Sequence, residues 1–404
     1  MKILYHHRTL GQGAEGIHIR EIISAFEQLG HQVQVVSPVN SVRESLDTPD
    51  EKKKSRKLET IKSFMPRIVF RASELLYNLK SFRQVSRAIL QERPDFIYER
   101  YACFNFGGIR AANKHGIPVI LEVNTPYSLA WENYDKLYFK RLARSIEFDS
   151  IAKAHSVITV STDLKKHFLK NGFSDEKFLV MPNGIDPEQF QSSLRKKTRE
   201  LYGITESIVI GFVGSLRKWH GIDLLMRIIP ELVRECDSCR FLIVGCGELE
   251  SVFRQFVEKN HLEKNVLLTG QVSHDEIPHL ISAMDITLMP NSNFWGSPMK
   301  VFEYMAMGKA TIAPDLGPLR EIIEDGRNGI LVKSGCSNSL KNAILKLIHE
   351  PILREKIGKE AYESIKDKYT WLNNAKRVIE VAKHIKSNGG TCKTTNRVGL
   401  QGDT

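Results

Sequence analysis

Short apolar runs alternate along this chain with longer stretches that carry a helical repeat. The first forty residues show the pattern once: the run KILYHH, a glycine loop RTLGQGAEGIH, a tract IREIISAFEQLGH and a second run QVQVVS. In the tract, Ile19, Ile22, Ile23, Phe26 and Leu29 recur at the spacing that buries one face of a helix, and Gly30 stops it. The runs DFIYER, PVILEVN, SVITVS and FLVMPNG follow, with helical segments between them. Short apolar strands separated by helices predict a doubly wound sheet covered on both faces.

The alternation breaks near residues 187–206 and then restarts. IVIGFVGSL, RFLIVGCGE, VLLTGQV, ITLMP and ATIAP read as strands, and GIDLLMRIIPELVREC, LESVFRQFVEKNHL and DEIPHLISAM as helices. After Pro298, Val301, Phe302, Met305 and Ala306 mark one more helix, stopped by Met307-Gly308-Lys309. The expectation is an α/β protein of two Rossmann-like domains, residues 1–187 and 206–370, joined by a linker over 188–205. A chain of 404 residues is too long for a single core, which agrees. The tail 387–404 has almost no core-forming residues and is expected to be disordered.

Composition changes this picture little. The chain is 42% hydrophobic and 26% charged, ordinary for a soluble globular protein. No run approaches the roughly 18 apolar residues of a spanning helix, and the apolar part of MKILYHHRTLG is too short for a signal peptide. A cytoplasmic location is the expectation. Of the six cysteines, Cys236 and Cys239 have a C-x-x-C spacing, but no second pair lies at zinc-finger distance, so reduced, incidental thiols are expected.

Charge changes it more. The net charge is +11, and residues 51–90 hold eleven Lys or Arg against three acids. This stretch is expected to attract an anionic surface, a membrane leaflet or nucleic acid. Within it Ile68, Ala72, Leu75, Leu79, Phe82 and Ile89 follow a helical stripe, with Lys80, Arg83 and Arg87 on one flank and the polybasic EKKKSRK before it. Aromatic residues for base stacking are sparse among these charges, which disfavours nucleic acid.

Candidate chemistry lies in the loops after the strands, because ligands of open α/β sheets bind outside the carboxyl ends of the strands. Those edges carry GQGAEG, EVNTPYS, GSLRKWHG, GCGE and FWGSPMK. If the domains face each other, these loops line a common cleft suited to a ligand with several phosphate oxygens. GQGAEG matches G-x-G-x-x-G with Gly11, Gly13 and Gly16, yet the second strand ends QVVSPVN, without the acid a dinucleotide site needs. A nicotinamide cofactor is disfavoured. Arg217, Lys218 and Lys300 could neutralise a diphosphate without a metal, and an Asp-x-Asp pair is absent from the sequence. Glu303 has two oxygens able to accept from the hydroxyls of a ribose. The plainer reading of Lys300 and Glu303 is a surface ion pair on an amphipathic helix.

In their order and spacing, FVGSLRKWHGIDLL, GQVSHDEIPHLIS, GSPMKVFEYMAMGKATIAP, EIIEDGRNGILV and YTWLNNAKRVIEVAK resemble the retaining glycosyltransferases of family 4, which have the two-domain GT-B architecture. YERYACFNFGGIRAANKHGIPVILEVN is similar to the amino-terminal domain of members that assemble bacterial polysaccharides. The resemblance spans residues 1 to 385. It implies two Rossmann-like domains facing across a cleft, with residues 371–386 forming a helix that crosses back toward the first.

It also implies roles for single residues. Glu303 would be the second glutamate of the family's E-x7-E motif and hold the nucleotide ribose, while the first glutamate's place is taken by Trp295. The backbone of Gly296, Ser297, Pro298 and Met299, through the N–H groups of that stretch, would hold the sugar and diphosphate. The family's usual arginine and lysine align with Ser215 and His220, so Arg217, Lys218 and Lys300 would replace that charge. Val272 would lie where the base is read, and Gly13 to Gly16 would touch the diphosphate. Glu99, Arg100, Glu122 and Asn124 are candidates on the acceptor side, each of the first three open to the alternative of a structural ion pair.

The implied reaction moves a sugar from a nucleotide-diphosphate sugar to a hydroxyl acceptor with retention, without metal or other cofactor. The acceptor would be lipid-linked or a growing polysaccharide, with the enzyme peripheral on the inner face of the plasma membrane. A nucleotide-sugar 2-epimerase would need an acid/base set that the sequence does not present. A non-catalytic binder of sugar nucleotides is the reading that Trp295 motivates.

Overall fold

The computed structural model describes residues 1–9, 11, 13–38, 67–134, 139–191 and 194–388. Their contacts divide into two units, Met1–Pro182 together with the chain from Trp371 onward, and Asn183–Thr370.

Unit 1 is built from β1 (Lys2–His6), α1 (Gly13–Gln28), β2 (Gln32–Val36), α2 (Arg67–Glu92), β3 (Phe96–Arg100), α3 (Gly107–Lys114) and β4 (Val119–Val123). It continues with α4 (Tyr127–Tyr134), α5 (Lys140–Lys153), β5 (Ser156–Thr159), α6 (Thr162–Leu169) and β6 (Phe178–Val180). The six strands are parallel in the order β2-β1-β3-β4-β5-β6. β3 and β4 are buried at every position, as strands covered on both faces must be. The stripe read on α1 turns inward: Ile19, Ile22, Ile23 and Phe26 are buried.

Unit 2 contains α7 (Arg195–Leu201), β7 (Ile208–Val213), α8 (Ile222–Glu235), β8 (Cys239–Val244), α9 (Glu250–Lys259), β9 (Val266–Gly270) and α10 (Ile277–Ala283). β10 (Ile286–Leu288), α11 (Met299–Ala306), β11 (Ala310–Pro314), α12 (Gly317–Arg320), β12 (Ile330–Val332), α13 (Ser337–His349) and α14 (Pro351–Ile365) complete it. Its parallel order is β12-β11-β10-β7-β8-β9. Alternate residues of β8 enter two cores on the two faces of the sheet: Phe241 and Ile243 one, Leu242 and Val244 the other. The chain is an α/β protein of two Rossmann-like units, as its alternation of apolar runs implies.

Three features bear on the sequence reading. Residues 188–205, read as a linker, lie in unit 2, where Phe190 and Ile204 are buried. α7 is fastened there because Arg195 and Arg199 donate to the two carboxylate oxygens of Asp285, at 2.6 and 2.5 Å. Second, the helix expected over 371–386 is α15 (Trp371–Ser387), one residue longer, which packs within unit 1, with Trp371 against His18 of α1 at 4.7 Å between ring centres and Asn374 donating to the Pro182 carbonyl. Ser387 therefore ends a helix, and the rest of the predicted tail beyond residue 388 lies outside the described residues. Third, Cys236 and Cys239 are joined in a disulfide between α8 and β8, not left as thiols. A tight turn, with Cys239 N–H donating to the Cys236 carbonyl, places their Cα atoms 5.5 Å apart, within disulfide range.

Candidate functional site

In unit 2 the chain leaves β7 in two directions, through β8 to β9 on one side and β10 to β12 on the other. Such a reversal opens a crevice at the carboxyl ends of the two strands beside it. Two loops border it here, Gly214 to Gly221 after β7 and Met289 to Pro298 after β10, and α11 starts at its rim. Tyr304 fixes α11 against β7, its hydroxyl accepting the Val213 N–H at 2.7 Å.

Lys300, in the first turn of α11, reaches into this edge. Its ammonium lies 4.3 Å from the centre of the Phe212 ring and has no hydrogen-bond partner among the described residues. The residue is half-buried, but the nitrogen itself is enclosed. A β-carbon at Gly214, whose φ is +137°, would stand 2.5 Å from that nitrogen, so the amine depends on glycine there. Burial pushes its pKa down to about 7, against the attraction of the Glu303 carboxylate.

Glu303 is only 6% exposed, an enclosed carboxylate where the sequence suggested an open one. The plainer reading of a surface pair fails: no ion pair joins it to Lys300 among the described residues. Its near neighbour is His274, with Nε2 3.8 Å from the carboxylate. His274 was not singled out from the sequence. It sits in a turn fixed by a capping box between Ser273 and Glu276, a signal that S-x-x-E does carry.

The loop after β10 is braced from within. Asn293 Oδ1 accepts the N–H groups of Trp295 and Gly296, at 3.3 and 2.6 Å. Trp295 is buried and meets Phe294 edge to face. Ser297 is tied to Asn183, which donates its N–H to Ser297 Oγ at 2.9 Å and its amide nitrogen to the Ser297 carbonyl at 2.6 Å. The expected row of N–H donors from Gly296 to Met299 is therefore shorter than read. That of Gly296 is taken by Asn293, Pro298 has none, and those of Ser297 and Met299 have no acceptor among the described residues.

In the loop after β7, His220 Nδ1 donates to the Ser215 carbonyl at 2.6 Å. Burial, with Lys300 adding to it, lowers the His220 pKa to about 3, so its ring is neutral and supplies no cation. Arg217 and Lys218 are exposed at the tip, and the Arg217 guanidinium lies 5.9 Å from the Trp219 ring centre. Val272 is half-buried against the core. The crevice edge of unit 2 thus gathers an unpaired amine, an enclosed carboxylate, two exposed cations and the start of a helix. That set can receive a polyanion that also carries hydroxyl groups.

Of the acceptor-side candidates in unit 1, Glu99, Arg100 and Glu122 are buried and Asn124 is half-buried. Glu99 accepts from His6 Nδ1 at 2.6 Å and from Asn105 at 2.8 Å, and is 1% exposed. Glu122 accepts from Arg100, Tyr98 and Asn124. Among the alternatives open for them, the structure places Glu99, Arg100 and Glu122 in buried, paired positions. Gly13 opens α1 at an exposed position. Gly16 is buried, and a β-carbon on it would lie 1.8 Å from the Gly11 carbonyl oxygen, so it serves the close turn from β1 into α1. Gly16→Ala is expected to lower stability toward denaturant by about 1–3 kcal/mol. An unchanged unfolding midpoint would show that this contact relaxes freely.

Comparison with known proteins adds a family. Residues 194–364 match the family model of the glycosyl transferases group 1, and residues 16–189 that of glycosyltransferase family 4. An uncharacterized glycosyltransferase of Methanocaldococcus jannaschii is 26% identical over 77% of this chain and 80% of its own length. TuaC of Bacillus subtilis, named for teichuronic acid biosynthesis, is 25% identical over 73% of each chain. The crystal structure of Anabaena HepE with UDP-glucose superposes with a TM-score of 0.69 at 20% identity, over 96% of this chain and all of that one. The shared fold is GT-B.

Proposed function

We propose that this chain, a glycosyltransferase with a family 4 domain and a group 1 domain, binds a nucleotide-diphosphate sugar at the carboxyl edge of unit 2 and transfers the sugar with retention. One observation carries the assignment of the site. Lys300 holds an amine with no hydrogen-bond partner among the described residues, enclosed beside a buried carboxylate, where the order of strands opens a crevice. An unpaired buried cation is costly unless an anion completes it. A diphosphate supplies that anion, and Glu303 accepts from the ribose hydroxyls. Arg217, Lys218 and the free N–H groups at the start of α11 add to the electrostatic field.

The UDP-glucose in Anabaena HepE supports a donor of this chemical class. The likeness to TuaC, named for teichuronic acid biosynthesis, supports a role in polysaccharide assembly, and the acceptor we propose is a polysaccharide or its lipid-linked precursor. In the proposed reaction the acceptor hydroxyl attacks the anomeric carbon on the leaving-group face. The bond from that carbon to the phosphate oxygen breaks, the new glycosidic bond forms, and the departing phosphate takes the hydroxyl proton. The protein supplies stabilisation of the developing negative charge, and no metal is required.

A panel of nucleotide sugars tests this by thermal shift, followed by transfer assays with and without chelator. One donor class is expected to raise the melting temperature, with transfer persisting in excess EDTA. The reading fails if no nucleotide sugar stabilises the protein. It fails in its electrostatic part if EDTA abolishes transfer and Mn²⁺ or Mg²⁺ restores it.

A further inference from the structure

Helix α2 packs into unit 1 through Asn78, Ser81, Val85, Ala88 and Ile89, all buried. Its opposite side is unusual. Leu76, Leu79 and Leu90 are 67%, 63% and 66% exposed, among the most exposed large hydrophobic side chains described. Lys80, Arg83 and Arg87 are exposed with them. At 3.6 residues per turn these six positions fall within roughly 100° of arc.

Among the described residues the face carries no acid to neutralise it. Glu74 turns aside and pairs with Arg8 at 2.5 Å, and among the described residues none of the three cations is in an ion pair. The stripe expected from the sequence is corrected in the process. Of its members Ile89 is buried, Leu75 and Phe82 are half-buried, and only Leu79 is exposed. The side chains of Ile68 and Ala72 and the EKKKSRK arm lie outside the described residues.

We infer that this face of α2 docks on an anionic phospholipid surface. The charge pattern selects the occupant. A leucine row alone would suit a second protein, but leucines interleaved with unpaired cations match a bilayer interface, which offers acyl chains and lipid phosphates at one level. The long Lys and Arg side chains can keep their charges at the phosphates while the leucines enter the acyl boundary. No helix of the described residues is long and apolar enough to cross a membrane, so α2 lies along the surface. The inference does not depend on the donor site, which lies in unit 2.

The test is sedimentation of the full chain with vesicles of phosphatidylcholine alone and of phosphatidylcholine mixed with phosphatidylglycerol. The protein is expected to pellet with the mixed vesicles, to stay soluble with neutral ones, and to be released by high salt. Each cation contributes about fivefold to partitioning, so combined Lys80→Glu, Arg83→Glu and Arg87→Glu lowers vesicle affinity by at least about 100-fold. Combined Leu76→Ser, Leu79→Ser and Leu90→Ser is expected to reduce binding as well. Unchanged circular dichroism and unchanged transfer to a soluble acceptor would show both variants folded. Wild-type pelleting by either variant, or equal pelleting with neutral vesicles, overturns the inference. So does light scattering that shows a dimer which the leucine variant dissolves, because the face would then belong to a second copy.

Discussion

Glu303→Ala is expected to reduce transfer by about 30- to 1,000-fold while leaving the fold intact. The carboxylate is enclosed and its near neighbour is His274 at 3.8 Å. It holds no part of the structure in place through a close ion pair among the described residues. Removing it takes a desolvated carboxylate out of unit 2 but also its attraction for the Lys300 ammonium, so melting temperature should change little. Its loss to catalysis is another matter. A pre-organised contact to a substrate is worth roughly 2–4 kcal/mol when deleted, and at 1.36 kcal/mol per decade that is a factor of about 30 to 1,000. Glu303→Gln keeps one acceptor oxygen and should fall between the two. Steady-state kinetics with varied donor decide the matter. Wild-type turnover by the alanine variant at saturating donor would remove Glu303 from the site.

Lys300→Met is expected to trade activity for stability. In the folded chain the amine has a pKa near 7, while an unfolded lysine titrates near 10.4. Between those values the unfolded chain binds the additional proton, so this residue makes stability rise with pH across that window. At and below pH 7 the folded protein bears the full cost of a buried charge. The methionine variant should therefore gain about 1–4 kcal/mol there, and its advantage should shrink toward pH 10. Its kcat/KM should fall by about 10- to 150-fold, the worth of one charge-assisted contact. The wild-type profile should decline above pH 7 as free Lys300 loses its proton, a limb the variant lacks. Denaturant curves at several pH values, run beside the kinetics, separate the two effects. A destabilised variant with normal kinetics would mean that Lys300 fills space and nothing more.

The framework of the fold was legible because its signals are local. The helix after Pro298 buries Val301, Phe302, Met305 and Ala306 as its spacing implies, and the run that follows Lys309 forms β11. The setting of the polar residues was not legible. Strands β3 and β4 are buried on both faces, so alternation gives no hint of which side a charged residue takes. Glu99 finds its partner in His6, ninety-three positions earlier, and Arg100 finds Glu122 across the sheet. Both pairings belong to the assembled sheet. The boundary between units was missed by a few residues for the same reason, since Asn183 is held by Ser297, 114 positions along the chain. The enclosure of Lys300 depends on Phe212 and Gly214 meeting it from another element. Its charge could be read from the sequence and its isolation could not.

The return of α15 to unit 1 bears on how the protein is made. Unit 2 is one uninterrupted stretch from Asn183 to Thr370, whereas unit 1 needs Trp371 and the residues after it. Domains tend to fold as units while the ribosome is still at work. Here the part begun first is finished last. Until α15 emerges, α1 lacks the cover of the helix that packs on it, with Trp371 against His18. Unit 2 can close while unit 1 still awaits α15, so an interrupted translation product ending at Thr370 would contain the whole of one unit and an unfinished other.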